Sequence, residues 1–234
     1  MTPTHMSRSS VVWRVIGYAG EVLITLGIVL LLAVAYELWW TNVQAQQNQT
    51  EERTQLQETW AAQPTPQPIV APIPAEAFGL MYIPRLRDHV WATPLIEGVD
   101  SGDLARGLGH FPGTAMPGEV GNTAFAGHRA THGEPLAHVD QLEAGDLVYI
   151  ETAAGWYTYR LRDDQIVEPT DIWVVDPVPG QPASTTPTES LLTLLTCEPR
   201  WGSTHRWVWW GTLTDSRSRE QGPPPDLATM MTGA

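Results

Sequence analysis

The sequence predicts a mostly β domain over residues 78–213, carried on one N-terminal membrane helix. Short runs of β-branched and aromatic residues recur through that region, each bounded by Gly, Pro, Asn or Asp, as strands joined by turns would be. The chain holds 20 Gly and 20 Pro, a composition that interrupts helices rather than sustaining them. The one long apolar run, residues 11–40, lies upstream of every strand-like segment. Short strands without long helices bury their apolar faces as a barrel or a sandwich.

The run beginning at Val11, "VVWRVIGYAGEVLITLGIVLLLAVAYELWW", is long enough to cross a bilayer, which takes about 20 residues. Arg14, Glu21 and Glu37 fall toward its ends, and Trp39 and Trp40 suit an interfacial belt. Arg8 and Arg14 precede the uncharged stretch, whereas Glu51 and Glu52 are the first charges clear of its far end. The positive-inside bias therefore places residues 1–10 in the cytoplasm and everything after Trp40 outside. No small-x-small cleavage site follows closely, so the segment reads as an uncleaved anchor in the plasma membrane. Residues 41–77 follow as a stalk and linker. The part up to 62 is rich in Gln, Glu and Thr, compatible with a short helix or with no structure. "PTPQPIVAPIP", Pro64–Pro74, is an extended spacer.

Within the domain, "FGLMYIPRL" and "HVWATPLI" open the set of strands. A short helix is expected around "SGDLARGLG", with Ser101 as its N-cap. "GNTAFAGHR" is a strand running into a loop, and "DLVYIET-AAG-WYTYRLRD" is a hairpin. "DIWVV", "SLLTLLTC" and "RWVWWGTL" complete the expected strands. Residues 214–234 lack periodicity and are expected to be a disordered tail.

Formal net charge is -13, and every basic residue is arginine. Residues 1–40 hold two Arg and two Glu, so the charge resides in the later part of the chain. Such an acidic surface argues against recognition of nucleic acid through its phosphates.

Cys197 is the only cysteine and ends the run "SLLTLLTC". A lone cysteine allows no intramolecular disulfide and no cysteine-based zinc site. It leaves a buried small hydrophobe, an intermolecular link or a reactive thiol. A thiolate nucleophile needs a cation or a base beside it. His5 precedes the membrane segment, and His89, His110, His138 and His205 have nothing to separate them from structural histidines. His128 differs: it ends "NTAFAGH", where a strand delivers a side chain to a rim. Arg206 stands nine positions after Cys197 and opens the next strand. If those strands pair antiparallel, thiol and guanidinium lie at the same end of the sheet, and the guanidinium can donate to a developing oxyanion. The trio points to acyl transfer; a salt-bridging arginine and a buried thiol are the competing reading.

These residues resemble a known family. "TLLTC", Thr193 to Cys197, fits the Thr-Leu-X-Thr-Cys signature of sortases, and Arg206 occupies the place of their essential arginine. "GNTAFAGHR" looks like the segment bearing their histidine, and "YIPRL" and "LARGLGHFPGTAMPGEVGN" match the upstream pattern. The anchor ending "YELWWTN", the Pro-rich spacer and the Cys–Arg spacing are most similar to class E sortases of actinobacteria. The resemblance implies an eight-stranded β-barrel with short helices, acting as a cysteine transpeptidase outside the plasma membrane. It implies that Cys197 attacks between Thr and Gly of a Leu-Ala/Pro-X-Thr-Gly signal on surface proteins. His128 would act as acid and base, and Arg206 with the N–H of Glu198 would hold the oxyanion, beside Thr196 and His132. The acceptor implied is an amine of a peptidoglycan precursor. No redox or organic cofactor and no resident metal is implied.

Two positions depart from the family. Class E relatives commonly carry Tyr four positions after the histidine, associated with a preference for Ala in the signal; this chain has His132. After the cysteine comes Glu198, whose carboxylate would disfavour a thiolate unless it points away, with Arg206 compensating. Zinc bound by His128 and His132, four apart, is an alternative that needs a helix there; flanking Gly127 and Gly133 favour a loop. A non-catalytic membrane-tethered β-module is a second. A transpeptidase of the peptidoglycan-crosslinking type is a third, but its Ser-His-Gly-Cys context is not matched by "TLLTCEP".

Overall fold

The computed structural model describes residues 8–62 and 73–233. The chain forms two compact units, residues 1–41 and 42–234. The first consists of helix α1 (Arg8–Ala35) and a π-helical turn, Tyr36–Trp40. Its apolar side chains, among them Trp13, Leu23 and Leu31, are exposed all round the helix. A helix apolar on every face has its proper solvent in lipid, and this one is long enough to span a bilayer.

In the second unit, eight strands close a barrel: β1 (Ala77–Tyr82), β2 (Trp91–Glu97), β3 (Leu108–His110), β4 (Gly121–Ala126), β5 (Leu147–Thr152), β6 (Gly155–Val167), β7 (Ser190–Glu198) and β8 (His205–Ser218). Their order around the barrel is β1-β2-β3-β4-β7-β8-β6-β5. Closure leaves no sheet edge to template foreign strands. Two pairs are parallel, β2 with β3 and β4 with β7; the others are antiparallel. Alternation along the strands sends Met81, Phe125, Ile150, Tyr159, Leu192, Leu194 and Trp209 into one interior core. The opposite face of β7 and β8 carries Leu195, Val208 and Trp210, which pack under Val174 and Trp173 of the β6–β7 loop.

The expected strands appear, with four corrections. β3 went unread because three residues with a central Gly carry no periodic signal. "DIWVV" is a 3₁₀ turn, Ile172–Val175, rather than a strand. Pro169, Pro177 and Pro179 around it cannot donate ladder bonds, and Asp171 accepts from the Glu168 N–H at 2.9 Å to start the turn. Helix α3 (Ser101–Leu104) is capped by Asp100, in a reciprocal box with Asp103, and Ser101 is its first residue. The tail is ordered within the described residues. β8 runs to Ser218, and α4 (Pro225–Thr232) starts on a proline and buries Leu227 completely.

The Gln-rich stalk is a helix, α2 (Thr41–Ala62). Its Ala45, Leu56 and Trp60 are buried. Leu56, Trp60 and Leu227 join Leu80, Tyr82 and Tyr149 in a cluster on the outside of the barrel. Arg219 fastens this side: its guanidinium lies 4.3 Å from the Trp60 ring and pairs with the buried Glu151 carboxylate at 3.0 Å. Residues 64–72 of the expected Pro-rich spacer lie outside the described residues.

Candidate active site

Parallel strands β4 and β7 run in register from Gly121 opposite Ser190 to Ala126 opposite Leu195. The pairing continues one step: the Gly127 N–H donates to the Leu195 carbonyl at 3.0 Å, and Thr196 Oγ1 donates to the Gly127 carbonyl at 2.7 Å. His128 and Cys197 therefore each stand two residues past a matched pair, on backbones about 4.8 Å apart. On the other side of β7, Cys197 lies directly opposite Arg206 of antiparallel β8. Opposed residues share a face, with Cβ atoms about 5 Å apart. Leu192, Leu194 and Trp209 face the core, so Cys197 and Arg206 face outward, on the side covered by the β6–β7 loop.

Cys197 is a half-buried free thiol. His128 is also half-buried, and burial, followed by the nearby charge of His132, holds its pKa below the ordinary histidine value. Its imidazole is thus neutral at neutral pH and ready to accept a proton. The His132 ring centroid lies 5.2 Å away. Backbone from His128 to Gly133 is irregular turn, not helix, so the four-residue spacing does not stack the two rings along one helical face. Arg206 Nη1 donates to the carbonyls of Ser203 at 3.0 Å and His205 at 2.9 Å, which braces the guanidinium against the β7–β8 loop. Beside it, under the β6–β7 loop, is a cavity of about 180 Å³ lined by Leu195, Val167, Ile172, Val174 and Arg206. A mostly apolar pocket on the same outer face as Cys197 suits an apolar side chain of an extended peptide.

The structure places the remaining expected residues differently. The Thr196 side chain is turned inward, its hydroxyl spent on Gly127, so it ties β4 to β7 instead of facing the outer groove. Glu198 follows the strand alternation away from Cys197, and its carboxylate is compensated by Arg129, not by Arg206. Arg129 also donates to the Cys197 carbonyl at 3.4 Å and lies 5.0 Å from the Trp207 ring. Arg129 was not singled out from sequence. Alternation alone holds the signal, since residues directly after His128 and Cys197 on neighbouring parallel strands both turn to the same inner side. Among the other histidines, His110 is buried and bonded to Glu97 at 2.6 Å and to Thr114 at 2.9 Å, a structural role.

Known proteins share this domain and its fold. Residues 81–214 match the sortase domain family. A curated relative, Sortase SrtE1 of Streptomyces coelicolor, is 37% identical over 90% of this chain, which spans 60% of that relative's length. A solved sortase E from Streptomyces avermitilis is 38% identical with a TM-score of 0.58, covering 66% of this chain and 99% of its own. Sortase E1 from Streptomyces coelicolor, solved with a tripeptide in its active site, is 34% identical with a TM-score of 0.60, covering 67% and 99%.

Proposed function

The chain belongs to the sortase family, whose members are cysteine transpeptidases, and from that premise we propose that it joins sorting-signal proteins to a cell-wall amine. The signal is Leu-Ala/Pro-X-Thr-Gly, cut between Thr and Gly. The observation that carries this reading is the register that sets His128, two residues past the end of β4, level with Cys197 of β7 and Arg206 of β8.

Cys197 Sγ attacks the Thr carbonyl carbon while its proton passes to the neutral His128 imidazole. The carbonyl oxygen gains negative charge, which Arg206 and the Glu198 N–H stabilise. As the C–N bond breaks, His128 returns the proton to the departing glycine amine, leaving a thioester on Cys197. An incoming amine then attacks the thioester, gives a proton to His128, and restores the thiol. The cavity under the β6–β7 loop takes an apolar side chain of the signal. The apolar helix anchors the chain with residues 1–10 in the cytoplasm and the barrel outside, following the arginines at 8 and 14.

The test mixes the full chain in detergent with Leu-Ala-X-Thr-Gly or Leu-Pro-X-Thr-Gly peptides and an amine, with mass spectrometry as readout. The expected result is an acyl adduct on Cys197 and a ligated product, both absent in Cys197→Ala. A thiol inert to alkylation, with no adduct from either peptide, overturns the reading.

A further inference from the structure

The loop after His128 holds an unusual backbone. Thr131, His132, Gly133 and Glu134 have φ of 60°, 50°, 86° and 37°, four successive residues in the left-handed region. For the three that are not glycine this costs roughly 1–2 kcal/mol each, and such a run persists only where its surroundings over-determine it. Within the loop, the Glu134 N–H donates to Thr131 O and the Leu136 N–H to His128 O, both at 3.0 Å. The remaining restraints come from outside. Asn42, in the first turn of α2, accepts from the Gly133 N–H at 2.9 Å and donates through Nδ2 to Glu134 Oε1 at 3.3 Å. The other Glu134 oxygen accepts from Arg200 Nη2 at 2.9 Å, three residues past Cys197. Ala45 and Gln49 come so close that a Cβ on Gly133 would meet them at 3.1 and 2.7 Å.

We propose that Asn42 is a positioning residue for His128: through Glu134 and Arg200, the stalk helix holds the loop of the base in register with the loop of the nucleophile. Asn42 touches no reacting atom. It uses one amide to clasp both ends of the Gly133–Glu134 step, so the catalytic competence of the barrel depends on the helix preceding it. This rests on the transpeptidase reading above, because it assigns His128 the proton transfers. Misplacing a catalytic group by about 1 Å can cost up to about a hundredfold in rate.

The experiment reverses the polarity of the contact in the full chain in detergent. Asn42→Asp keeps an acceptor for the Gly133 N–H but sets a carboxylate against Glu134. Combining Asn42→Asp with Glu134→Gln restores a donor–acceptor pair while leaving an oxygen for Arg200. We expect Asn42→Asp to lower kcat about tenfold with KM for the signal peptide within about twofold. Amide exchange of residues 128–137 accelerates in the same variant, and the double variant recovers both readouts. Equal kcat and exchange in Asn42→Asp and the parent chain would overturn the proposal, as would a double variant no better than the single one. So would a kcat loss that merely follows melting temperature across the series. If the parent chain itself forms no Cys197 adduct, the transpeptidase reading fails first, and this inference with it.

Discussion

At the scale of single residues, the site is a matter of which charges meet which. Arg206 stands opposite Cys197 on the outer face of β8, whereas Arg129 lies on the inner side against Glu198, so the two guanidiniums have separate surroundings. With Arg206 in the oxyanion-holding role proposed above, Arg206→Ala is expected to lower kcat by about 10²–10³ in the peptide ligation assay. Arg206→Lys rescues only part, since an ammonium cannot reproduce the planar fork braced on Ser203 and His205. Arg129→Met acts differently: it strands the Glu198 carboxylate next in sequence to Cys197. Alkylation of Cys197 should then slow by about tenfold or more, and combining it with Glu198→Gln should recover the rate. In the proposed mechanism His128 sets the acid side of the pH profile. Its folded-state pKa is below the ordinary histidine value, so the acid limb of kcat/KM lies below about pH 6.5. His132→Asn removes the lesser cause and moves that limb only partway back, burial being the larger. The sign for stability follows. As pH falls through the ordinary histidine value, the unfolded chain takes up the proton before His128 does, and stability declines until the folded-state pKa is passed. The placement of His128, Cys197 and Arg206 at or just past strand ends was legible in sequence, because each stands beside a distinctive strand pattern. The Arg129–Glu198 pair was not, because it exists only once two distant strands are in register.

At the scale of elements, the strands with β-branched and aromatic alternation declared themselves, and the elements that failed to do so share a cause. β3 is too short for a period, and the segment 172–175 has strand-forming residues whose proline neighbours deny it a ladder. α4 follows a proline-rich break and has a single completely buried side chain, too little pattern to announce a helix. That one side chain is nevertheless costly to lose. Leu227→Ala should lower stability by about 2–3 kcal/mol and the melting temperature by roughly 5–10 °C, as thermal unfolding would record. Turnover at 25 °C should be unchanged, because α4 packs on Tyr82 and Tyr149, away from the Cys197 face.

At the scale of the whole molecule, an acidic barrel and an all-apolar helix are built for different solvents, and the sidedness proposed above from the arginines at 8 and 14 can be tested directly. A membrane-impermeant maleimide applied to intact cells should label Cys197, with no labelling if the barrel faces the cytoplasm. The strand order carries one more consequence. β7 joins the free edge of β4 and β8 closes the ring between β7 and β6, so Cys197 arrives on the last strand but one, 69 residues after His128. Contacts of that sequence separation form late, since the loop between them must first be closed. With the orientation and mechanism proposed above, a chain emerging N-terminus first would carry His128 across the membrane well before Cys197, and a product truncated before β7 would have no thiol to acylate. In the mechanism proposed above, catalysis would begin only once β7 and β8 have both taken their places, so chemical competence would report a closed barrel.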